Sequence, residues 1–141
     1  MTPPKLPDHI GWDLVRAARL WEARLSAHMV AAGHGWFGEA RGRLIEHIAR
    51  SGTSQATIAA RAGISKQAVA KHLDALVADG IVERIADPRD ARRVDIGYTA
   101  RGRAALAEID RAKAAIEDEV RAEIGQRRLD ALRDALKSWV E

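Results

Sequence analysis

The sequence predicts a mainly α-helical fold with one small β-hairpin, in the order α-α-α-α-β-β-α-α. Apolar residues recur at spacings of three and four over most of the chain, which is the period of an amphipathic helix. Only IVERI and RVDIGY are dense in β-branched residues, and in the second stretch Val94, Ile96 and Tyr98 alternate with outward positions. A charged loop built on Asp87 and Pro88 separates these stretches, so we expect them to pair as a hairpin.

Length, charge and cysteine content limit the classes of protein that fit. With 141 residues, 47% of them hydrophobic, the chain can form one domain with a buried core. A net charge of +3 permits nucleic acid or an acidic membrane surface as a partner without requiring either. The lack of cysteine excludes disulfides, thiolate metal sites and cysteine redox sensing. Because no apolar run approaches about 20 residues and the N-terminus lacks a secretion signal, we expect a cytoplasmic protein with no membrane partner.

The first helix follows a proline-containing lead, and Asp8 is a candidate for its N-cap. We expect it to end before the segment 33–38, because each interior glycine costs about 1 kcal/mol relative to alanine. Its apolar stripe is formed by Leu14, Ala18, Trp21, Leu25 and Met29.

Two further helices are expected before residue 64. The second helix ends at Arg50, where Ser51 and Gly52 stop it, and Thr53 or Ser54 opens a short third helix that closes at glycine. The apolar positions of the second helix are Leu44, Ile45 and Ile48.

The fourth helix, KQAVAKHLDALVADG, is capped by Ser65 and places Gln67, Ala68 and Lys71 on its outward face. This face fits the DNA major groove, where glutamine can pair with adenine, lysine with guanine or phosphate, and alanine with a thymine methyl. Ser65 and Thr53 can bond phosphates. A solvated helix face is the alternative explanation. The inward stripe of this helix is Val69, Leu73 and Leu76.

Solvated arginines at a hairpin tip add little to fold stability but can bind DNA phosphates, which would explain the charge of the loop DPRDARR. Directly after two short helices, such a hairpin acts as a wing that inserts an arginine into the minor groove, and Arg92 is the best candidate. We expect Asp90 to hold the Arg92 guanidinium in a charge-assisted bond and Pro88 to stiffen the loop. Surface charges that serve solubility are the alternative explanation.

Thr99 caps a long alanine-rich helix, and a last helix follows Gly125. Both terminal arms are amphipathic, so they either bury their apolar stripes against a second copy of the chain or fold back onto their own domain. The apolar positions of the C-terminal arm are Leu106, Ile109, Ile116, Val120, Ile124, Leu129, Leu132, Leu136 and Val140.

The run from Ser54 to Gly102 resembles the MarR family of bacterial winged-helix repressors. The matching features are the serine-capped recognition helix, the D-G-I-V-x-R link into the first strand, the D-x-R wing signature that ends at Arg92, and the threonine cap at Thr99 with glycine three residues later. The helix order on both sides also agrees, so the resemblance covers nearly the whole chain.

The resemblance implies a winged helix-turn-helix regulator that is an obligate homodimer, binds a pseudo-palindromic operator in double-stranded DNA, and is released by a small molecule, as a repressor is. It divides the chain into an N-terminal dimerisation helix at 1–34, a DNA-binding domain at 36–100 and C-terminal dimerisation helices at 101–141. The expected DNA contacts are Thr53, Ser54, Ser65, Lys66, Gln67, Ala68, Lys71, His72, Arg84, Arg89, Asp90, Arg92 and Arg93.

The chain departs from the family pattern in two respects. Tyr98 stands where the family usually has leucine, which a strand position tolerates if the hydroxyl finds a partner. The absence of cysteine excludes the peroxide-sensing branch of the family, whose signal is a reactive thiol. Any sensing is therefore expected to depend on ligand binding.

Relatives bind effectors between the dimer arms and the winged helix, where this sequence has several aromatic side chains. These side chains suit an aromatic or carboxylate ligand, while packing in the dimer interface is an equally weighted alternative. The candidate ligand contacts are His9, Trp12, Arg16, His34, Trp36 and Phe37.

Other functions have less support from the sequence. His28, His34 and His47 lack the spacing of a metal site, so we expect no metal and no cofactor. The piece AVAKHLDAL also resembles the recognition helix of ArsR metal-sensing repressors, and a winged helix can instead serve as a protein-binding adaptor. We expect no enzyme, because no nucleophile and base, phosphate-binding glycine loop or carboxylate pair is present.

Overall fold

A computed structural model of the chain describes residues 1–6 and 8–141 and confirms the predicted fold class, mainly helical with a small sheet. The α-helices are α1 (Ile10–Ala31), α2 (Gln55–Ala62), α3 (Lys66–Ala78), α4 (Ala100–Ile124) and α5 (Gln126–Val140). The strands are β1 (Thr53–Ser54), β2 (Val82–Ala86) and β3 (Val94–Tyr98). Within the described residues, no helix is both long enough and apolar enough to cross a membrane.

The predicted second α-helix is wrong in type, because this part of the chain forms two 3₁₀ segments, Gly35–Gly38 and Ala40–His47. The pattern of Leu44, Ile45 and Ile48 predicted their burial correctly, and all three lie in the core. The two segments pack so closely that a Cβ atom on Gly42 would lie 2.2 Å from the carbonyl oxygen of Phe37. This contact requires glycine, which disfavours a regular α-helix here.

The predicted hairpin of β2 and β3 is present, with Val82 opposite Tyr98 and Ala86 opposite Val94. A third strand, β1, adds to the other edge of β3 and gives the antiparallel order β1-β3-β2. Residues Ile96 and Tyr98 of β3 are buried, as the alternation predicts. The sequence did not reveal β1, because two residues are too few to show a period of two.

The core lies between α2, α3, the sheet and the second 3₁₀ segment, and it continues between α1 and α4 through Met29 and Ile116. At the junction of hairpin and α4, Thr99 accepts a hydrogen bond from the Gly102 N–H at 3.0 Å, which confirms the predicted cap. A Cβ on Gly102 would lie 1.9 Å from the carbonyl oxygen of Ile81, so α4 packs directly against the backbone before β2. Hairpin and α4 are thus joined without space for a side chain.

The terminal arms fold back onto their own domain over only part of their length. The C-terminal half of α1 folds back on α4, where Arg24 pairs with Glu123 at 2.9 Å and His28 with Glu119 at 3.1 Å. The N-terminal half of α1 has no buried residue, and in α5 only Leu129 is buried. The buried residues of these two helices are Leu25, Met29 and Leu129.

The N-cap of α1 is His9 and not the expected Asp8. The ring nitrogen Nδ1 of His9 accepts a hydrogen bond from the backbone N–H of Trp12 at 3.2 Å, so a histidine here does the work of a capping carboxylate.

Candidate nucleic-acid interface

Helices α2 and α3 form a helix-turn-helix whose two starts are capped by serine. Ser54 Oγ accepts from the Thr57 N–H at 3.2 Å, and Ser65 Oγ accepts from the Ala68 N–H at 3.1 Å. The connecting turn begins at Gly63, which has a φ of 65° and closes α2 in the left-handed conformation. Both serines, which the sequence analysis predicts as DNA contacts, therefore lie at helix starts, where free backbone N–H groups favour an anion.

The start of α3 is exposed on the face that the helical period predicts. Lys66, Gln67 and Lys71 are exposed, and Ala68 and His72 are partly exposed. On the opposite face, the side chains of Val69, Leu73 and Leu76 are inaccessible to solvent. The polar side chains thus project away from the core over the first two turns of the helix.

Two aspartates order the wing loop through its backbone. Asp87 Oδ1 accepts from the Arg89 N–H at 2.8 Å, and Asp90 Oδ1 accepts from the Arg92 N–H at 2.9 Å. The Arg93 N–H also donates to the Asp90 carbonyl at 3.0 Å. The expected bond between the Asp90 carboxylate and the Arg92 guanidinium is therefore wrong, because the carboxylate is used by the backbone of the turn.

The three wing arginines differ in what their side chains contact. Arg93 Nε pairs with Asp95 at 3.0 Å and lies 3.9 Å from Asp87. Among the described residues, Arg89 and Arg92 form no ion pair within the subunit, and both are exposed. These two guanidinium groups are thus available to an external anion, whereas Arg93 is partly neutralised.

A cleft of about 440 Å³ opens between the wing and the starts of α2 and α3. Lys66 and Arg92 line it from opposite elements, together with Arg93, whose charge is partly neutralised by Asp95. Its remaining lining residues are Ser54, Gln55, Ala56, Ala59, Asp90 and Val94. The recognition helix and the wing therefore share one cationic opening.

Thr53 and Arg84, two further predicted DNA contacts, are used inside the subunit. Thr53 Oγ1 accepts from the Ala49 N–H at 2.8 Å. The Arg84 guanidinium lies 2.7 Å from Asp74 and contacts Gln55 and the Ala70 carbonyl. The sequence analysis missed Asp74 and Gln55. The alternation of β2 could have indicated them, because it places Arg84 on the same face as the buried Val82.

The six candidate ligand residues do not meet in one subunit. His9, Trp12 and Arg16 lie at the start of α1, and the other three follow its end. A helix of 22 residues is about 33 Å long, so the two groups lie at opposite ends of a rod. No single pocket within the subunit can be lined by both groups.

His34, Trp36 and Phe37 form a packed cluster against α4. The Trp36 indole N–H donates to His34 Nδ1 at 3.3 Å, so Nε2 carries the ring proton and donates to Glu108 at 2.8 Å. The Trp36 ring is buried and meets the Phe37 ring edge-on with centroids 5.8 Å apart. These contacts account for the cluster as core. Among residues 1–6 and 8–141, no three histidine or carboxylate side chains are grouped as metal ligands.

Comparisons with known proteins identify a family model and solved structures that are similar to this chain. Residues 40–93 match a model of the MarR family. MarR from E. coli in its apo form is 18% identical, with a TM-score of 0.78 over 96% of this chain and 100% of that chain. A MarR family regulator from Rhodococcus sp. RHA1 is 23% identical, with a TM-score of 0.68 over 92% and 90% of the two chains.

A cysteine-to-serine mutant of E. coli MarR, solved in complex with operator DNA, is 18% identical. Its TM-score is 0.71 over 94% of each chain. No curated protein matches this sequence significantly. The match to the MarR family model covers residues 40–93, and nearly the whole chain has the fold of solved MarR regulators.

Proposed function

We propose that this protein is a dimeric transcription regulator that binds a pseudo-palindromic DNA operator with α3 in the major groove and the wing in the adjacent minor groove. One observation carries the proposal. Lys66 at the tip of α3 and Arg92 on the wing line the same cleft, so both cations can face one duplex. The similarity to a MarR solved with operator DNA supports the same mode of binding.

In this mode, each element has a separate task. The exposed Gln67 and Lys71 hydrogen-bond to base edges, which gives sequence preference. Arg92 enters the narrow minor groove, where the negative potential is strongest, and Arg89 contacts the phosphates beside it. Because the wing backbone is ordered by Asp87 and Asp90 before DNA arrives, little conformational entropy is lost on binding.

The exposed apolar residues of the arms support the homodimer. On α5, Leu132 is 46% exposed and Trp139 69% exposed, and on α1 Leu20 is 53% exposed. Leu132 and Trp139 are seven residues apart and so lie on one side of α5, and large apolar side chains exposed in this pattern are typical of a protein interface. A second copy of the chain, related by a two-fold axis, covers them and sets two copies of α3 for two half-sites.

Release of DNA by an effector is the finer part of the proposal. A second subunit can bring the start of its own α1, with Trp12 and Arg16, near the groove between α1 and α4 that His28, Met29, Glu108 and Arg111 line. An aromatic carboxylate such as benzoate is the probe, and tryptophan fluorescence and loss of DNA binding are the two measurements. Quenching and release at the same benzoate concentration support this part, and unchanged DNA binding at saturation contradicts it.

Selection of bound duplexes from a random-sequence pool, followed by a salt titration, tests the DNA proposal. We expect a selected duplex with two related half-sites, bound with an affinity that falls steeply as salt rises, because about six or more phosphate contacts release counterions. A scrambled duplex of equal length is the control. Failure to enrich any sequence, with no salt-dependent binding, contradicts the proposal and favours a protein-binding adaptor.

A further inference from the structure

Arg84 projects from β2 toward α2 and α3. In the β2–β3 pair, Arg84 lies directly opposite Ile96, and residues directly opposite in an antiparallel pair share a face of the sheet. Ile96 has no solvent exposure, since this face is covered by helices. The Arg84 side chain is 32% exposed, so it is partly covered although the strand around it is largely exposed.

The guanidinium group uses a different nitrogen for each of three partners. Nη1 pairs with Asp74 Oδ1 at 2.7 Å, and Nη2 donates to the Ala70 carbonyl at 3.3 Å, both on α3. Nε donates to Gln55 Oε1 at 3.4 Å, at the first residue of α2. A planar fork with fixed angles therefore connects the wing strand with both helices of the helix-turn-helix.

Arg84 provides the polar side-chain contacts between the hairpin and the two helices. We define the hairpin as residues 82–98. Among the described residues, no other hairpin side chain forms a hydrogen bond or ion pair with α2 or α3. The Arg93 ion pairs remain inside the hairpin, and the Tyr98 hydroxyl contacts the 3₁₀ segment. Everything else that fixes the hairpin against α3 is apolar packing, which has little angular preference.

The contacts on α3 lie on the stripe that carries the proposed base contact. Ala70 and Asp74 follow Gln67 by three and seven residues, so all three lie on one side of the helix. We infer that Arg84 is a positioning residue that fixes the angle between the wing and the recognition helix, so that Arg92 and Gln67 meet adjacent grooves together. The inference rests on the proposed DNA function and replaces the direct contact expected for Arg84.

The ion pair adds little to the stability of the fold. The Asp74 side chain is 69% exposed, and ion pairs at such positions change the stability of a protein only slightly. Loss of the pair is therefore expected to leave the melting temperature nearly unchanged while it loosens the relative orientation of two DNA-binding elements. A purely structural role would show the opposite pattern.

Asp74→Ala separates positioning from phosphate contact. As a phosphate contact, Arg84 would gain from removal of the neighbouring carboxylate, and the variant would bind the selected duplex equally or more tightly. As a positioning residue it loses its partner, and we expect Asp74→Ala to weaken binding about tenfold. Glu83→Ala is the matched control, because Glu83 is an exposed carboxylate of the same hairpin with no ion pair in the described residues.

A double-mutant cycle completes the test. Arg84→Ala is also expected to lose about tenfold, and the double variant with Asp74→Ala no more than about tenfold, because both changes remove one interaction. The slope of affinity against salt stays at the wild-type value in all three variants. Arg84→Lys keeps the charge but cannot span three acceptors with one nitrogen, so it fails to restore binding.

The outcomes distinguish this inference from the proposed function. Wild-type protein that binds no duplex overturns both. Wild-type protein that binds, with Asp74→Ala unimpaired, or with Arg84→Ala lowering the salt slope by about one and Arg84→Lys restoring affinity, overturns only the positioning role. Weakened, non-additive variants with unchanged melting temperatures and slopes support it.

Discussion

At the scale of single residues, Asp90 contacts Arg92 through a hydrogen bond to its backbone N–H and not through an ion pair with its guanidinium group. Because asparagine has the same oxygen, Asp90→Asn keeps the hydrogen bond to the Arg92 N–H, whereas Asp90→Ala loses it. We expect Asp90→Asn to bind the selected duplex within about twofold of wild type and Asp90→Ala about fivefold more weakly. Fluorescence anisotropy with labelled duplex measures both. Equal losses in the two variants would show that the carboxylate charge matters.

Tyr98 is the only tyrosine in the sequence, which makes its ionisation directly visible. Burial raises the pKa of Tyr98 to about 12, against a smaller opposing effect of the Arg50 charge. Its hydroxyl donates to the Ile48 carbonyl at 3.0 Å. We expect the tyrosinate absorbance near 295 nm to stay low in folded protein at pH 11 and to appear at once in denaturant.

The same pKa shift predicts a loss of stability at high pH. The folded pKa lies above the unfolded value of 10.0, so the contribution of neutral Tyr98 is complete below pH 10 and is lost between pH 10 and 12. The loss is about 3 kcal/mol at most, since one pKa unit corresponds to about 1.4 kcal/mol. Tyr98→Phe should lack the absorbance change. A wild-type titration midpoint near pH 10 would contradict the buried environment.

The bonding partners of individual side chains were harder to predict from the sequence than the face of the helix on which each side chain lies. Helical period placed Gln67 and Lys71 outward and Val69 inward, since a period of 100° per residue is set by backbone geometry alone. The partners of Arg84 and Asp90 depend on tertiary approach and on loop conformation, which periodicity does not contain. Charge alone had suggested the wrong partner for Asp90.

At the scale of elements, burial was predictable where helix type was not. Apolar spacing identified the core residues of the 3₁₀ segment, but a 3₁₀ and an α-helix bury similar positions over two turns. The order of α2, α3 and the hairpin followed from strong local signals, namely two serine caps and two glycine stops. Strand β1 had no such signal, and its two residues pair only because β3 is already present.

The contact of α4 with the hairpin gives a prediction at this scale. Gly102→Ala would normally favour a helix by about 1 kcal/mol, but its Cβ would overlap the Ile81 carbonyl. We expect a net loss of about 2 kcal/mol in the free energy of unfolding, measured by urea denaturation. Gly35→Ala is the control, because no atom lies within 4 Å of its added Cβ. Equal stability of Gly102→Ala and wild type would contradict the close packing.

At the scale of the whole molecule, one subunit leaves its arms incomplete. The sequence predicted two amphipathic arms but did not distinguish whether a second copy of the chain or the chain's own domain covers them, because a helical stripe does not identify its partner. In the structure, the C-terminal half of α1 and α4 as far as Ile116 are covered within the chain, whereas the start of α1 and nearly all of α5 are not. The candidate ligand residues were grouped by sequence position at both ends of α1, and helix length then separates them.

The dimer proposal predicts that a charge in the arm surface separates the subunits. Leu132→Asp on α5 should convert a dimer into a folded monomer at micromolar concentration, because it places an unpaired carboxylate in an apolar interface. Sedimentation velocity measures the mass, and circular dichroism monitors the fold. Ile64→Asp is the matched control, since Ile64 is 42% exposed but lies in the helix-turn-helix turn. A monomeric wild type, or a dimeric Leu132→Asp variant, would contradict the proposal.

Helix α4 runs for 25 residues without a break, from the close contact at the hairpin to the glycine before α5. Such a rod is about 37 Å long, so a tilt of about 5° at its outer end corresponds to about 3 Å of travel at the other. Under the proposed effector mechanism, a molecule that binds between the arms would need to supply only a small rotation to move a whole winged helix out of register with its half-site. The length of α4 sets how far the winged helix would move for a given rotation. Shortening α4 by one turn would therefore weaken the effect of a ligand on DNA binding without changing any side chain proposed to contact a base.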